Sequence, residues 1–191
     1  PVVHNVTGTG SYCTGGAGLT IGVDATEVGN SYQLYLAGVP DGLPVAGTGS
    51  AIGFGLKTAP GVYTVIATDN TTACTSAMAG SGIITINALP TTYNVSGGGS
   101  YCAGGTGVHV FLNGSTTGVD YQLYNGVDPM GPAIPGTGGV LDLGAQTLAG
   151  NYTIVATNTA TGCSKVMNGS AIINMLSLPT AFSVEGGGSF C

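Results

Sequence analysis

Charge is what this sequence has least of. Two of its 191 residues are Lys or Arg (Lys57 and Lys165) and eight are Asp or Glu. A nucleic-acid binder needs cationic side chains to neutralise phosphates, so nucleic acid is not expected as a partner. The net charge of −6 is spread along the chain and forms no acidic tail. Glu, Lys and Arg are also the straight-chain helix formers, and no stretch keeps a helical apolar period beyond one turn. Helices are therefore not expected. Mean hydropathy is positive, yet every 18-residue window carries polar residues, so a membrane-spanning helix is not expected either. The first residues, PVVHNVTG, lack a basic segment followed by an apolar run. If the protein is secreted, its signal lies upstream or has been removed.

Glycine is abundant, with 36 residues. With Thr, Ser and Asn it supplies the polarity that charge does not, which suits an extracellular surface. One stretch recurs: GTGSYCTGGAG at 8–18, GGGSYCAGGTG at 97–107 and GGGSFC at 186–191. The steps from Cys13 to Cys102, Cys102 to Cys191 and Cys74 to Cys163 are each 89 residues. Residues 1–89 align with 90–178 without a gap, so loop lengths are held as well as apolar positions. The expected organisation is one repeat at 1–89, a second at 90–178, and the start of a third at 179–191. The last segment has a second reading, a strand docking on a neighbouring copy. Cysteines without a CxxC pattern or a nearby His fit disulfides better than zinc, which implies an oxidising compartment.

Short β-branched and aromatic runs separated by Gly, Pro, Asn and Asp predict strands near 2–8, 18–25, 31–37, 50–57, 61–68 and 80–88. The segment 61–68, GVYTVIAT, is expected in the middle of a sheet. The fold class is all-β: two tandem Greek-key sandwiches. Gly61-Val-Tyr63-Thr-Val65 and Gly150-Asn-Tyr152-Thr-Ile154 resemble the sixth strand of immunoglobulin-like domains. There a Tyr stands two residues before a core position, and its hydroxyl ties back to upstream backbone. The chain has no Trp, so the Cys–Trp–Cys core of antibody domains is absent. The resemblance is to bacterial immunoglobulin-like repeats of large surface proteins and adhesins, notably of Bacteroidota.

That resemblance implies that Cys74, in the turn after the 61–68 strand, lies at the same end of the sandwich as Cys13. One disulfide inside each unit follows, Cys13–Cys74 and Cys102–Cys163, closing a loop of about 60 residues worth roughly 4 kcal/mol. A Cys74–Cys102 bond between units is the rival. Cys191 has no partner at its repeat spacing. Either the chain continues, or Cys191 lies in a segment that meets another copy.

No catalytic or metal-binding residues and no cofactor are expected. His4 and His109 are not repeat-equivalent. Neither are the carboxylates: Asp24 aligns with Asn113, and Asp69 with Asn158. A calcium or enzymatic site built into the repeat would recur as the cysteines do. Lys57 aligns with Gln146, so an isopeptide staple is not a repeat property. The Gly-rich stretches are followed by Ser-Tyr-Cys and not by a helix or a Lys, which argues against a phosphate loop and for turns and bulges. Among the Asn-x-Ser/Thr sequons, Asn5 and Asn94 are repeat-equivalent candidates for glycosylation. The function expected is structural or adhesive: a non-enzymatic stalk, fibre or filament at the cell surface that self-associates or continues as a longer repeat chain. The alternative is a module binding glycan or protein, with the repeated Tyr residues and the 38–49 loop as a shallow platform.

Overall fold

The structure is a computed structural model that describes residues 1–189 and 191. It divides into two compact units, Pro1–Leu89 and Pro90–Cys191. Unit 1 contains β1 (Val6–Thr7), β2 (Gly10–Cys13), β3 (Leu19–Val23), β4 (Asn30–Leu36), β5 (Val39–Pro40), β6 (Val45–Ala46), β7 (Ile52–Lys57), β8 (Gly61–Asp69), β9 (Thr75–Ala77) and β10 (Gly82–Asn87). One sheet runs β1-β3-β7, and the other runs β2-β10-β8-β4-β5 with β6 on β4 and β9 on β8. This is a Greek-key sandwich of immunoglobulin-like order, with β8 between β10 and β4 as its composition predicts.

Alternation along the strands builds the core. Tyr63, Val65 and Ala67 of β8 and Tyr32 and Leu34 of β4 are fully buried on one face, while the residues between them lie on the other. The Tyr63 hydroxyl donates to the Ala59 carbonyl at 2.8 Å, and Tyr152 repeats this on Leu148 at 2.7 Å. Both are the backbone tie that the motif implied.

The four-residue strand β2, GSYC, falls in the stretch read from sequence as a turn. The chain starts beside the β9–β10 connection, where Val6 N donates to Ala79 O at 2.8 Å. β1 then pairs antiparallel with β3. At Gly8 and Thr9 the chain crosses to the other sheet, and β2 pairs parallel with β10, ending with Cys13 opposite Asn87. One strand pathway thus crosses the whole sandwich. We call the end holding Pro1 proximal, and the end where β10 leaves distal.

Unit 2 repeats the plan with β11 (Val95–Gly97), β12 (Gly99–Cys102), β13 (Val108–Leu112), β14 (Val119–Asn125), β15 (Asp128–Pro135), β16 (Leu141–Gln146), β17 (Gly150–Asn158), β18 (Ser164–Val166) and β19 (Ala171–Leu176). Its sheets are β11-β13-β16 and β12-β19-β17-β14-β15, with β18 on β17. The continuous β15 replaces β5 and β6. Residues 179–189 carry no regular element, and Phe182 and Val184 are 87% and 98% exposed. Phe190, within the third GGGSFC, lies outside the described residues.

Candidate functional site

Each unit presents two cysteine-bearing ends, built alike in both repeats. At the proximal end, the Asp69 carboxylate accepts from Thr71 N and Thr72 N at 2.8 and 3.0 Å. This local turn holds Ala73 at φ 58°, and Asp69 N returns a bond to Cys74 O at 2.9 Å. Asn158 does the same for Ala160 and Thr161 at 3.0 and 3.1 Å, and Asn158 N bonds Cys163 O at 2.9 Å. The side-chain oxygen at this position serves the turn, whether it belongs to Asp or Asn.

At the distal end, Gly16 N donates to Cys13 O at 2.8 Å, closing a four-residue turn with Gly15 at φ 84°. That geometry is a type II turn, which demands Gly at its third position. Thr14 N donates to Asn87 O at 2.9 Å and fixes the turn to the end of β10. Tyr12 hydroxyl donates to the Thr58 carbonyl. Unit 2 copies each contact: Gly105 to Cys102, Ala103 to Leu176, and Tyr101 to Thr147.

These positions correct the disulfide pairing. Cys13 and Cys163 are disulfide-bonded, whereas Cys74, Cys102 and Cys191 are exposed free thiols. Neither Cys13–Cys74 nor Cys102–Cys163 forms, and nor does the rival Cys74–Cys102. The reason is strand length. Ile84 pairs with Gly61 and Asn87 with Cys13, so Cys13 lies beyond the start of β8. Cys74 follows the far end of β8, where Thr68 pairs with Thr75. The nine residues of β8 put about 25 Å between those ends, and a disulfide needs Cα atoms within roughly 7 Å. The expectation treated Cys13 as the start of the domain. It stands instead after the opening strand has crossed the sandwich. The available signal was Gly8, and Gly97 to Gly99 in unit 2: glycines placed where a strand changes sheets.

The 38–49 region is tied to the sandwich by side-chain hydrogen bonds. Gln33 Nε2 holds Gly42 O at 3.1 Å, and Thr48 N donates to Thr26 Oγ1 at 3.0 Å. Gln122 on Gly131 and Thr137 on Ser115 are the counterparts, at 3.1 and 3.0 Å. The tyrosines offer the expected platform half-buried rings, at Tyr12, Tyr35, Tyr93, Tyr101 and Tyr124, and no fully exposed one. Tyr32, Tyr63, Tyr121 and Tyr152 are fully buried, and no described Tyr is exposed. The repeats do differ here. Lys57 forms an ion pair with Asp41 at 3.1 Å in unit 1. In unit 2, Met130, Ile134, Leu123 and Gln146 line a cleft of about 200 Å³ instead.

Of the candidate glycosylation sites, Asn5 donates its amide to Asp24 at 2.8 Å, while Asn94 accepts from Asn168 at 2.6 Å. Both residues are exposed. His109 Nδ1 lies 2.9 Å from Asp142, and neither residue has a counterpart pair in unit 1. Among the described residues there is no group of three or more His, Cys, Asp or Glu able to hold a metal.

Two carboxylates add acid sensitivity to unit 1 at positions where unit 2 carries Asn; in unit 2 the His109 side chain likewise holds Asp142 below the usual carboxylate pKa. The Asn5 side chain and then its backbone N–H hold Asp24 below the usual carboxylate pKa, and the backbone N–H groups of Thr72 and Thr71 do so for Asp69. A lowered folded pKa gives stability that is present above the unfolded value near 4 and lost as pH falls through the folded value. Asn113 and Asn158 accept from the equivalent backbone N–H groups without titrating. The Asp24→Asn/Asp69→Asn variant should therefore show a smaller fall in the unit 1 thermal midpoint between pH 7 and pH 3 than the parent chain. Calorimetry at the two pH values checks this.

The chain matches no protein-family model and no curated protein. Solved structures similar to it include the three N-terminal domains of the bacteriophage RB49 highly immunogenic outer capsid protein, at 13% identity and TM-score 0.41, covering 91% of this chain and 59% of that one. The human OSCAR ligand-binding domain matches at 12% identity and TM-score 0.36, covering 90% and 100% of the two chains. The N-terminal four Ig domains of Dscam1 isoform 8.4 match at 12% identity and TM-score 0.27, covering 93% and 53%. The chain thus spans about three fifths of the phage structure's length.

Proposed function

We propose that this protein is a structural or adhesive repeat protein of the cell surface, of the bacterial immunoglobulin-like kind. In this reading it forms a stalk, fibre or filament, is secreted, and carries no enzymatic activity. The observation that supports this reading is the pairing of the first strand pathway with the last strand. β2 and β10 run parallel, with the chain received at the proximal end and released at the distal end. Tension on the chain pulls β2 toward its own start and β10 toward its own end. The bonds between them are loaded in shear and must break together, whereas a peeled hairpin loses them one at a time. β12 and β19 repeat this geometry. The disulfide-bonded Cys13 and Cys163 fit an oxidising, extracellular setting.

Pulling the chain by its termini in a force spectrometer, with its disulfide reduced so that the load passes through β2 and β10, tests this reading. Thr14→Pro removes the Thr14 N–H that bonds Asn87 O, while Pro is favoured at that position of a type II turn. The variant should lose about 1–2 kcal/mol of unit 1 stability and lower the rupture force of unit 1, leaving unit 2 unchanged. Rupture at forces typical of unzipping, insensitive to Thr14→Pro, would sink the load-bearing role. The alternative reading, a protein- or glycan-binding module, has the unit 2 cleft at Met130 and Ile134 in its favour. Saturable binding abolished by Met130→Asp would support it.

A further inference from the structure

We propose that Cys102 and Cys74 are the two halves of a disulfide that joins the distal end of this repeat to the proximal end of another copy, supplied by a second molecule of the chain. The proposal rests on the filament reading above and names the bond that would link its subunits. Both thiols are free and exposed, and they are of opposite type. Cys102 ends β12 opposite Leu176, the last residue of β19. Cys74 sits at the proximal end of unit 1, held by Asp69 N, and Asp69 lines one shallow cleft with Pro1 and Val2.

A second observation shows that both positions are suited to disulfides. Cys13 is the repeat equivalent of Cys102, and Cys163 that of Cys74, and both are disulfide-bonded in this structure. The supporting backbone is the same in each case. The distal turn closes at 2.8 Å on Cys13 and 2.9 Å on Cys102, and the proximal bond onto the cysteine carbonyl is 2.9 Å in both units. A distal cysteine and a proximal cysteine therefore remain as a complementary set. A like pair, distal on distal, would leave the proximal cysteines to pair only with each other, unlike the distal-with-proximal set that the structure leaves open.

The bond forms by thiol–disulfide exchange with a small-molecule disulfide such as oxidised glutathione. The Cys102 thiolate attacks one glutathione sulfur, and the glutathione S–S bond breaks to release one glutathione thiol. The Cys74 thiolate of the second chain then attacks the Cys102 sulfur and releases the other. The two cysteines lose two electrons and two protons, and both glutathione moieties gain them as thiols.

The test uses the full chain carrying Cys191→Ser, which removes the other distal-type thiol, in a glutathione redox buffer. A ladder of oligomers is expected on a non-reducing gel, with a proteolytic fragment joining Cys102 to Cys74. Adding Cys74→Ser or Cys102→Ser should reduce species above monomer more than tenfold, and mixing those two variants should restore dimers only. Monomer alone, or Cys102–Cys102 linkage, would overturn the proposal. Electron microscopy separates it from the reading it rests on. Fibres that persist with both cysteines replaced overturn the disulfide and leave the filament standing.

Discussion

Replacing Tyr152 with Ala should cost unit 2 about 3–5 kcal/mol, a large part of what a unit of this size possesses. The ring is fully buried in the core of Val110, Leu112, Leu123, Ile154 and Ile173, and it stands next to Ile154's face of β17, the central strand. Truncation leaves a cavity that the sheets on either side are too constrained to close. Tyr152→Phe separates packing from the hydroxyl. It keeps the ring and deletes the 2.7 Å bond to Leu148 O, with an expected loss of about 1 kcal/mol. Hydrogen exchange of β17 amides reads both. A loss of 3 kcal/mol speeds exchange through global opening roughly 100-fold or more. Burial first, with Tyr101 adding to it, raises the Tyr152 phenol pKa above 10.0, as burial does for Tyr63. A raised pKa means that this stability is whole below pH 10 and is lost as pH rises further. The Phe variant should flatten that alkaline decline. Exchange rates unchanged by Tyr152→Ala would mean that the ring is not a core element.

Why this part of the fold was legible, and the cysteine arrangement was not, follows from range. Tyr63 and Tyr152 sit in nine-residue strands whose alternation is written in consecutive residues, and the hydroxyl partner is four residues away. Local chemistry of that kind can be read one segment at a time. β2 offers four residues, GSYC, between Thr9 and Thr14, and its partner β10 lies more than seventy residues downstream. Nothing in GSYC itself distinguishes a parallel edge strand from a turn. The cysteine error follows from that omission, since the position of Cys13 depends on whether the chain has turned or crossed. The Asp-to-Asn changes between the repeats signal only that no charged site recurs, and the shared role of these positions is not legible in them. Asp69 and Asn158, or Asp24 and Asn113, differ in charge but provide the same oxygen to the same backbone groups.

The crossing itself can be tested at Gly8. Its φ is 104°, and a Cβ there would lie 2.2 Å from Thr20 O and 3.0 Å from Ile21 Cα. Both obstacles are backbone of β3, the strand that β1 has just paired with, so neither can rotate aside. Gly97 meets His109 O at 2.2 Å in the same way. The chain can leave one sheet for the other only by pressing its backbone against the strand it is leaving, and glycine alone has the room. Gly15 is the internal control. Its φ of 84° is also unfavourable for an L-residue, yet a Cβ there meets nothing within 4 Å. Gly15→Ala should cost only the conformational strain, about 1–2 kcal/mol. Gly8→Ala adds a clash with fixed backbone. It should cost about 3 kcal/mol or more and should release β2 from β10, seen as faster exchange at Tyr12 and Thr14 and as a lower rupture force for unit 1. Equal losses at Gly8 and Gly15 would show that β3 yields to the methyl group. The Gly-rich opening of the repeat would then be a flexible connection, not the fixed crossing that carries Cys13 from the proximal end to the distal one.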